Sequence, residues 1–223
     1  KIEPVWDPAY CTVFPRMGDS QKEGGAQGYQ MWSGAKEGKK PTFGQNMWFF
    51  IRYQVGYMYM RYFMWNFVGR QNDIQGMTGD PWEGNFISGI GFIDQLLLGP
   101  QSNLPDTMLV NKGRNTFFFL PLILGILGMV IQFKRRRFDA NVVLTLFLFT
   151  GLLIIVYLNQ PPFEPRERDY SMVGSFQTFC IWIGLGVLFL FDYLNKKLSF
   201  SKTGIAAIVT IVGLAASPYL MAK

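Results

Sequence analysis

The chain has 223 residues, 49% of them hydrophobic and 17% aromatic, with 21 basic and 15 acidic side chains and a net charge of +6. Its apolar residues gather in four long uncharged windows in the second half, which argues against an ordinary soluble globular protein. There is no histidine, and Cys11 and Cys180 are far apart. These absences argue against His-based triads, zinc helices, imidazole proton shuttles, thiolate clusters and a disulfide framework.

Residues 1–46 are polar and turn-rich. Pro4, Pro8, Pro15 and Pro41 accompany Gly24, Gly25, Gly28, Gly34 and Gly38, and this composition predicts a periplasmic surface loop or linker. No glycine pattern of a nucleotide cradle follows a plausible strand. Residues 47–116 read as an aromatic interfacial helix followed by extramembrane loops. The stretch 47–69 is dense in Trp, Tyr, Phe and Met but holds Arg52 and Arg61. An arginine at mid-bilayer costs several kcal/mol, so a helix lying in the headgroup layer is expected, where Tyr and Trp are at home. At about 100° per residue the two arginines fall on opposite faces, one toward headgroups and one toward protein. Two readings stay open: an aromatic helix with solvated arginines, or a surface that holds an anionic lipid phosphate or lipid-linked substrate.

Next come Arg70, Gln71, Asn72, Asp73, Asp80, Trp82, Glu83 and Asn85 in a turn-rich segment. Carboxylates and amides suit sugar hydroxyls, and Trp presents a flat apolar face. Asp73 with Glu83 or Asp80 could form an acid/base pair; ordinary loop chemistry is the plain alternative. Phe86, Ile87, Ile90, Phe92, Ile93 and Leu96 to Leu98 predict a short helix on the membrane surface, ended by Gly99 and Pro100.

The windows 115–133, 140–163, 170–191 and 203–222 run 19, 24, 22 and 20 residues without a charge. About 20 helical residues cross a hydrocarbon layer of roughly 30 Å. Spans are therefore expected near 117–133, 142–158, 173–193 and 204–222. Gly125, Gly128, Gly151, Gly184, Gly186 and Gly213 lie within them, either as ordinary transmembrane composition or as a tight interhelical seam. The short basic links, Lys134 to Arg137 and then Lys196, Lys197 and Lys202, belong inside by the positive-inside rule. Residues 1–116 and 159–172 then face the periplasm. So long an outward segment before the first span predicts a membrane portion upstream in the parent protein.

The 159–170 loop is stiffened by Pro161, Pro162 and Pro165, and it alternates Arg166, Glu167, Arg168 and Asp169. It reads either as a solvated charge run or as a network in which Arg166 or Arg168 meets a phosphate that Glu167 or Asp169 helps orient. The net charge is an orientation signal, and no nucleic-acid partner is expected.

Several stretches together resemble one family: YMYMRYFMWNFVGRQND at 57–73, GNFISGI at 84–90, FFFLPL at 117–122, YLNQ at 157–160, PRERDY at 165–170 and WIGLG at 182–186. The chain resembles, over roughly 45–195, bacterial membrane proteins carrying domain of unknown function 2723. These are classed with glycosyltransferase family 117 and related to protein O-mannosyltransferase-like proteins. The resemblance implies an all-α integral membrane protein of the inner membrane and a segment of a GT-C-like fold, with four transmembrane helices over 117–222. It implies a polyprenyl-phosphate sugar donor, a protein hydroxyl acceptor and an active site at the outer face. The main catalytic acid in such proteins lies upstream of the part matched here. Candidate catalytic residues are Asp73, Glu83, Glu167 and Asp169. Candidates for the lipid phosphate or substrate are Arg61, Arg70, Asn72, Trp82, Arg166 and Arg168. No metal or other cofactor is expected, since a lipid monophosphate donor does not require one. Membrane lipid is an expected partner. The competing expectation is a non-catalytic module that docks proteins of a cell-envelope assembly. A transporter would need ionisable groups within its spans, and Asp192 lies only at a span end.

Overall fold

The computed structural model describes residues 25–36, 39–74, 76, 80–162, 169–197 and 201–215, and these are mostly helical. Within the stretch read from its glycines as a loop, Gly25–Ser33 forms a helix, α1. Its hold is tertiary: Tyr29 and Trp32 are buried, with Tyr29 4.6 Å from the Phe49 ring. The next helix, α2, covers the aromatic stretch in three contiguous parts: Phe43–Phe49, a π-helical Phe50–Met60 and Arg61–Phe67. Thr42 starts it with a capping box. Its hydroxyl accepts from Gln45 N–H at 3.3 Å, and the Gln45 side chain accepts from Thr42 N–H at 2.9 Å.

The π-helical part decides which side chains share a face. Arg61 N–H donates to the carbonyl of Gly56, five residues back. A row at four-residue spacing drifts around an α-helix, and the wider π turn shifts it back. Phe49, Tyr53, Tyr57, Arg61 and Trp65 thereby form one continuous row. Ring centroids are 5.1 Å apart from Phe49 to Tyr53 and 5.9 Å from Tyr53 to Tyr57, and the Arg61 guanidinium lies 4.0 Å above Tyr57. A second row, Tyr59, Phe63 and Phe67, faces the apolar helices of the second half.

After α2 the chain builds a small plate. Strand β1 (Gly69–Arg70) pairs antiparallel with β2 (Asn115–Thr116), Gly69 opposite Thr116, and Arg70 also bridges to Phe86. Gly69 has φ +144°, and a Cβ there would strike the carbonyls of Ile87 and Asn115. Only glycine fits between two flanking backbones in this conformation. Helix α3 (Gly91–Leu98) follows, ending at Gly99 with φ +80°, and α4 (Asp106–Leu109) is a single turn. Phe117 N–H donates to Val68 O at 2.8 Å and Phe118 N–H to Ser88 O at 3.0 Å, tying the plate to the start of the next helix. Phe118 and Phe119 sit at φ +52° and +59°, a left-handed conformation rare for aromatic residues, and Pro121 then occupies the first helical turn.

Among the described residues four helices follow: α5 (Leu120–Arg135), α6 (Arg137–Leu158), α7 (Val173–Lys197) and α8 (Lys202–Ala215). Four spans are expected from the sequence, and among the described residues two helices meet the length and apolarity of a membrane span: Arg137–Leu158, and α7 with its preceding turn, Asp169–Lys197. Helix α5 has 16 residues because Phe117 to Phe119 form the strap from the plate instead of its first turn. For α8 the described part has 14 residues, and the rest of the expected 204–222 span lies outside the described residues.

Helices α5 and α7 run side by side in the same direction and α6 returns between their ends. The glycines decide how close they come. A Cβ on Gly128 would strike the Trp182 carbonyl, one on Gly186 the Leu124 carbonyl, and one on Gly125 the Phe179 ring. A Cβ on Gly151 would come within 2.7 Å of both Ser175 Oγ and the Tyr59 ring. The seam reading therefore holds for these four. A Cβ on Gly184 would meet nothing within 4 Å, and one on Gly213 would make ordinary contact at 3.9 Å. The basic ends of α5 and α7 lie together, with Arg135 4.0 Å from Asp192. On α6, Phe138, Val142, Leu146, Phe149, Leu153 and Tyr157 form an exposed stripe along the whole helix, and only 11% of its apolar window is buried.

Candidate functional site

Helix α2 crosses the end of the bundle away from the basic turn, and two polar segments distant in sequence meet along its four-residue row. Tyr53 donates from its hydroxyl to Pro161 O at 3.1 Å, and Gln54 Nε2 donates to Asn159 Oδ1 at 2.8 Å. Asn159 ends α6 at φ +42°. One turn further on, Tyr57 donates to the carbonyl of Gly76, and Arg61 NH1 donates to Gly84 O at 2.9 Å. The start of the 159–170 loop and the 71–85 segment thus lie on neighbouring turns of one helix.

Arg61 is only 6% exposed. Its guanidinium lies 4.0, 4.5 and 5.3 Å from the rings of Tyr57, Tyr62 and Trp65, and its Nε donates to Tyr57 O at 3.2 Å. The aromatic faces supply the electrostatic attraction that water would otherwise provide, which is how a cation is held in this core. Arg52, one residue before Tyr53 in the four-residue row, is exposed and lies 5.3 Å from the Trp32 ring, which itself packs on Tyr53 and Tyr57. The opposite faces expected for Arg52 and Arg61 from α-helical phase do not apply across the π-helical run. Arg70 lies 4.7 Å from Trp65, with its Nε buried and without a hydrogen-bond partner.

Asn72 and Gln71 are fully buried and hold the backbone of the 81–85 loop. Asn72 Nδ2 donates to Trp82 O at 2.9 Å while its Oδ1 accepts from Gly84 N–H at 2.9 Å. Gln71 Nε2 donates to Pro81 O at 2.9 Å, and its Oε1 accepts from Asn85 Nδ2 at 3.1 Å. This clamp leaves the Trp82 ring 44% exposed at the surface of the loop, with Glu83 half-buried beside it. Asp80 accepts from Trp82 N–H at 2.8 Å. Asp73 is exposed on the opposite turn, where it accepts from Asn111 Nδ2 at 3.0 Å. Asp169 is exposed at the start of the turn before α7. Arg166, Glu167 and Arg168 lie outside the described residues. Arg61, Asn72, Trp82 and Glu83 are therefore brought to one loop, and Asp73 belongs to the 111–113 turn.

The sequence reading passed over a second polar cluster. Asp94, on the first turn of α3, is buried and accepts from Ser88 N–H at 2.7 Å, Ser88 Oγ at 2.8 Å and Gly89 N–H at 2.8 Å. Arg114 donates to Gln71 O at 3.3 Å. Burial pulls the Arg114 guanidinium below its ordinary pKa, and the Asp94 carboxylate partly restores it. Asp94, Gln95, Gln101, Arg114 and Thr116 help line a cavity of about 420 Å³, within the range of small-ligand clefts. The signal was present: Asp94 is the single charge in the 86–98 segment, and a buried charge requires a partner. Among the described residues, no three acidic or thiol side chains gather as a metal site would require.

Two buried polar atoms lie where the segments meet. Gln54 Oε1 and Gln160 Nε2 are without hydrogen-bond partners, although Gln54 is 1% exposed. Buried polar groups are almost always satisfied, so this junction has room in its bonding for a small polar guest or water.

A family of unknown function, DUF8416, matches residues 1–51, which on this structure include α1 and the beginning of α2. No curated protein and no solved structure matches the chain.

Proposed function

We propose that the chain is a segment of a multi-pass inner-membrane glycosyltransferase of GT-C type. It would help move a sugar from a polyprenyl-phosphate donor to a protein hydroxyl at the outer face. The observation that carries this reading is the convergence of the 71–85 segment and the 159–162 turn on neighbouring turns of α2, at the end of the bundle away from the basic turn. A lipid-linked sugar needs that combination: polar groups for the sugar, arginines for the phosphate and an apolar flank for the prenyl chain. The unpaired Gln54 and Gln160 atoms at this junction suit a hydroxyl-bearing guest.

Membrane residence is supported by α6, whose exposed apolar stripe has no other solvent to suit it. Four crossings, the periplasmic orientation and the place of Glu167, Arg166 and Arg168 in the site belong to the proposal. In the reaction the acceptor oxygen attacks the anomeric carbon and the bond from that carbon to the phosphate oxygen breaks. The hydroxyl proton passes to a carboxylate and the polyprenyl phosphate leaves, its charge met by arginine.

A second reading has its own observation. Arg61, Gln71, Asn72 and Asp94 are all engaged in holding loop backbone, as in a non-catalytic module that presents a rigid surface to envelope proteins. The test is transfer of labelled sugar from a polyprenyl-phosphate donor to a hydroxyl-bearing peptide, by membranes holding the full protein. Transfer is expected, with loss in Arg168→Ala at unchanged membrane assembly. Absence of transfer from well-assembled protein would overturn the enzyme reading in favour of the module.

A further inference from the structure

At the opposite end of the bundle, α5 and α7 touch at Gly128 and Gly186 and then diverge. The wedge they leave is a cavity of about 450 Å³, closed on its third side by the start of α6. Gly128, Leu185 and Phe189 line its apolar side with Leu188 at its exposed edge, and Arg135 and Arg136, both exposed, line it at the charged end, its mouth. Trp182 Nε1 donates to Gln132 Oε1 at 2.7 Å and fixes the wall of the wedge. Trp182 Nε1 is thereby satisfied, and beside Gln132 the wall is apolar, with Gly128, Ile131 and Leu185.

The charges at the mouth are only loosely matched. Arg135 stands 4.0 Å from Asp192 and Arg136 3.6 Å from Asp139, all four side chains exposed. Charge-assisted bonds of full strength are about 2.7–2.9 Å long, and exposed pairs of this kind contribute about 0–1 kcal/mol. Lys134, Arg137, Lys196 and Lys197 add further positive charge at the same end. Helix α5 has 16 residues, about 24 Å at 1.5 Å per residue. That is shorter than a hydrocarbon layer of roughly 30 Å, so its charged end is drawn toward the headgroups.

We propose that this wedge is a binding site for an anionic phospholipid. Its phosphate is held by Arg135 and Arg136, and the first part of an acyl chain lies over Leu185, Leu188 and Phe189. The arginine fork suits a phosphate better than either distant carboxylate. The site rests on the reading that the bundle lies in a membrane and is independent of glycosyl transfer.

The experiment uses the full chain, purified in detergent and stripped of lipid. Phosphatidylglycerol, phosphatidylcholine of the same acyl chains, and inorganic phosphate are titrated, with binding read by native mass spectrometry and by the thermal unfolding midpoint. Phosphatidylglycerol is expected to bind about tenfold more tightly than phosphatidylcholine, and inorganic phosphate to give no shift. The preference should vanish in Arg135→Gln with Arg136→Gln and persist in Arg137→Gln, since Arg137 does not line the wedge. Leu185→Trp, which fills the cavity and leaves both arginines, should also abolish it. Equal binding of the two lipids would overturn the proposal, as would equal loss in Arg137→Gln. Full release of the chain from membranes by alkaline carbonate would instead remove the membrane reading on which the site rests.

Discussion

Two glycines on the same helix, two residues apart, are expected to respond oppositely to one methyl group. At Gly186 an added Cβ would strike the Leu124 carbonyl, and the next nearest atom, Leu124 C, is 2.9 Å away; both belong to backbone that no side-chain rotation can move. At Gly184 nothing lies within 4 Å. Alanine is favoured over glycine within a helix by about 1 kcal/mol, and that gain applies at both positions. Gly186→Ala must in addition push α5 and α7 apart by more than an ångström. Overpacking of this kind costs about 1–3 kcal/mol. Separation also endangers the 2.7 Å bond from Trp182 to Gln132, which contributes about 1 kcal/mol net. The sum is a net loss of about 1–3 kcal/mol for Gly186→Ala and a gain of up to about 1 kcal/mol for Gly184→Ala. Gly128→Ala should follow Gly186→Ala. The assay is denaturant unfolding in detergent micelles, followed by helical circular dichroism and Trp fluorescence. Equal effects at Gly184 and Gly186 would refute the close seam.

Arg61→Met should destabilise by about 3–5 kcal/mol, since it strips the cation from its three rings and leaves Gly84 O unpaired. Hydrogen exchange should show residues 80–87 losing protection first. Tyr59 is buried and bonded to Ser175 at 2.6 Å, and burial, partly offset by that bond, raises its pKa to about 12. A raised folded pKa means that its contribution is complete below the unfolded value of about 10 and is lost as pH climbs from about 10 to 12. The loss should reach about 3 kcal/mol, with phenolate absorbance following the same range, and Tyr59→Phe should flatten both. Asp94→Ala should cost about 2–4 kcal/mol by orphaning the Ser88 and Gly89 donors and leaving Arg114 without its carboxylate. It should loosen α3 while leaving α5 to α7 intact, which limited proteolysis can read.

The helices of the second half were legible because uncharged windows and basic links are local signals. Their ends were not, because the left-handed Phe118 and Phe119 answer to hydrogen bonds with Val68 and Ser88, far away in sequence. Glycine content pointed to a seam, but which glycines belong to it depends on which face each presents, so Gly128 and Gly186 differ from Gly184 and Gly213. The exposure of Arg52 and the burial of Arg61 were not readable from α-helical phase, because the π-helical run changes the angle between them and both flank the Trp32 and Tyr57 rings. The enclosure of Arg61 by Tyr57, Tyr62 and Trp65 was readable only in part, since it requires the π-helical turn that brings Tyr57 beneath it. The polar residues at 71–85 were visible as a group. Their division into a clamp (Gln71 and Asn72) and an exposed ring (Trp82) was not, because a hydrogen bond to backbone leaves no compositional trace. Helix α1 was hidden for the same reason: Gly25 and Gly28 suggest a break, and only the burial of Tyr29 and Trp32 against α2 holds the helix.

The π-helical run Phe50–Met60 has a consequence for how this protein can change its length. A π turn amounts to an α-turn carrying an inserted residue, so a deletion here would seem harmless, restoring an ordinary helix. It would also rotate one half of α2 against the other by about 100°. Tyr53 must reach Pro161 while Arg61 reaches Gly84, and a helix in the usual phase can serve one of these loops but not both. The surplus residue acts as a phase shifter between two docking points. Natural variants should therefore tolerate insertions and deletions on either side of α2 while keeping the interval from Tyr53 to Arg61 fixed at eight positions.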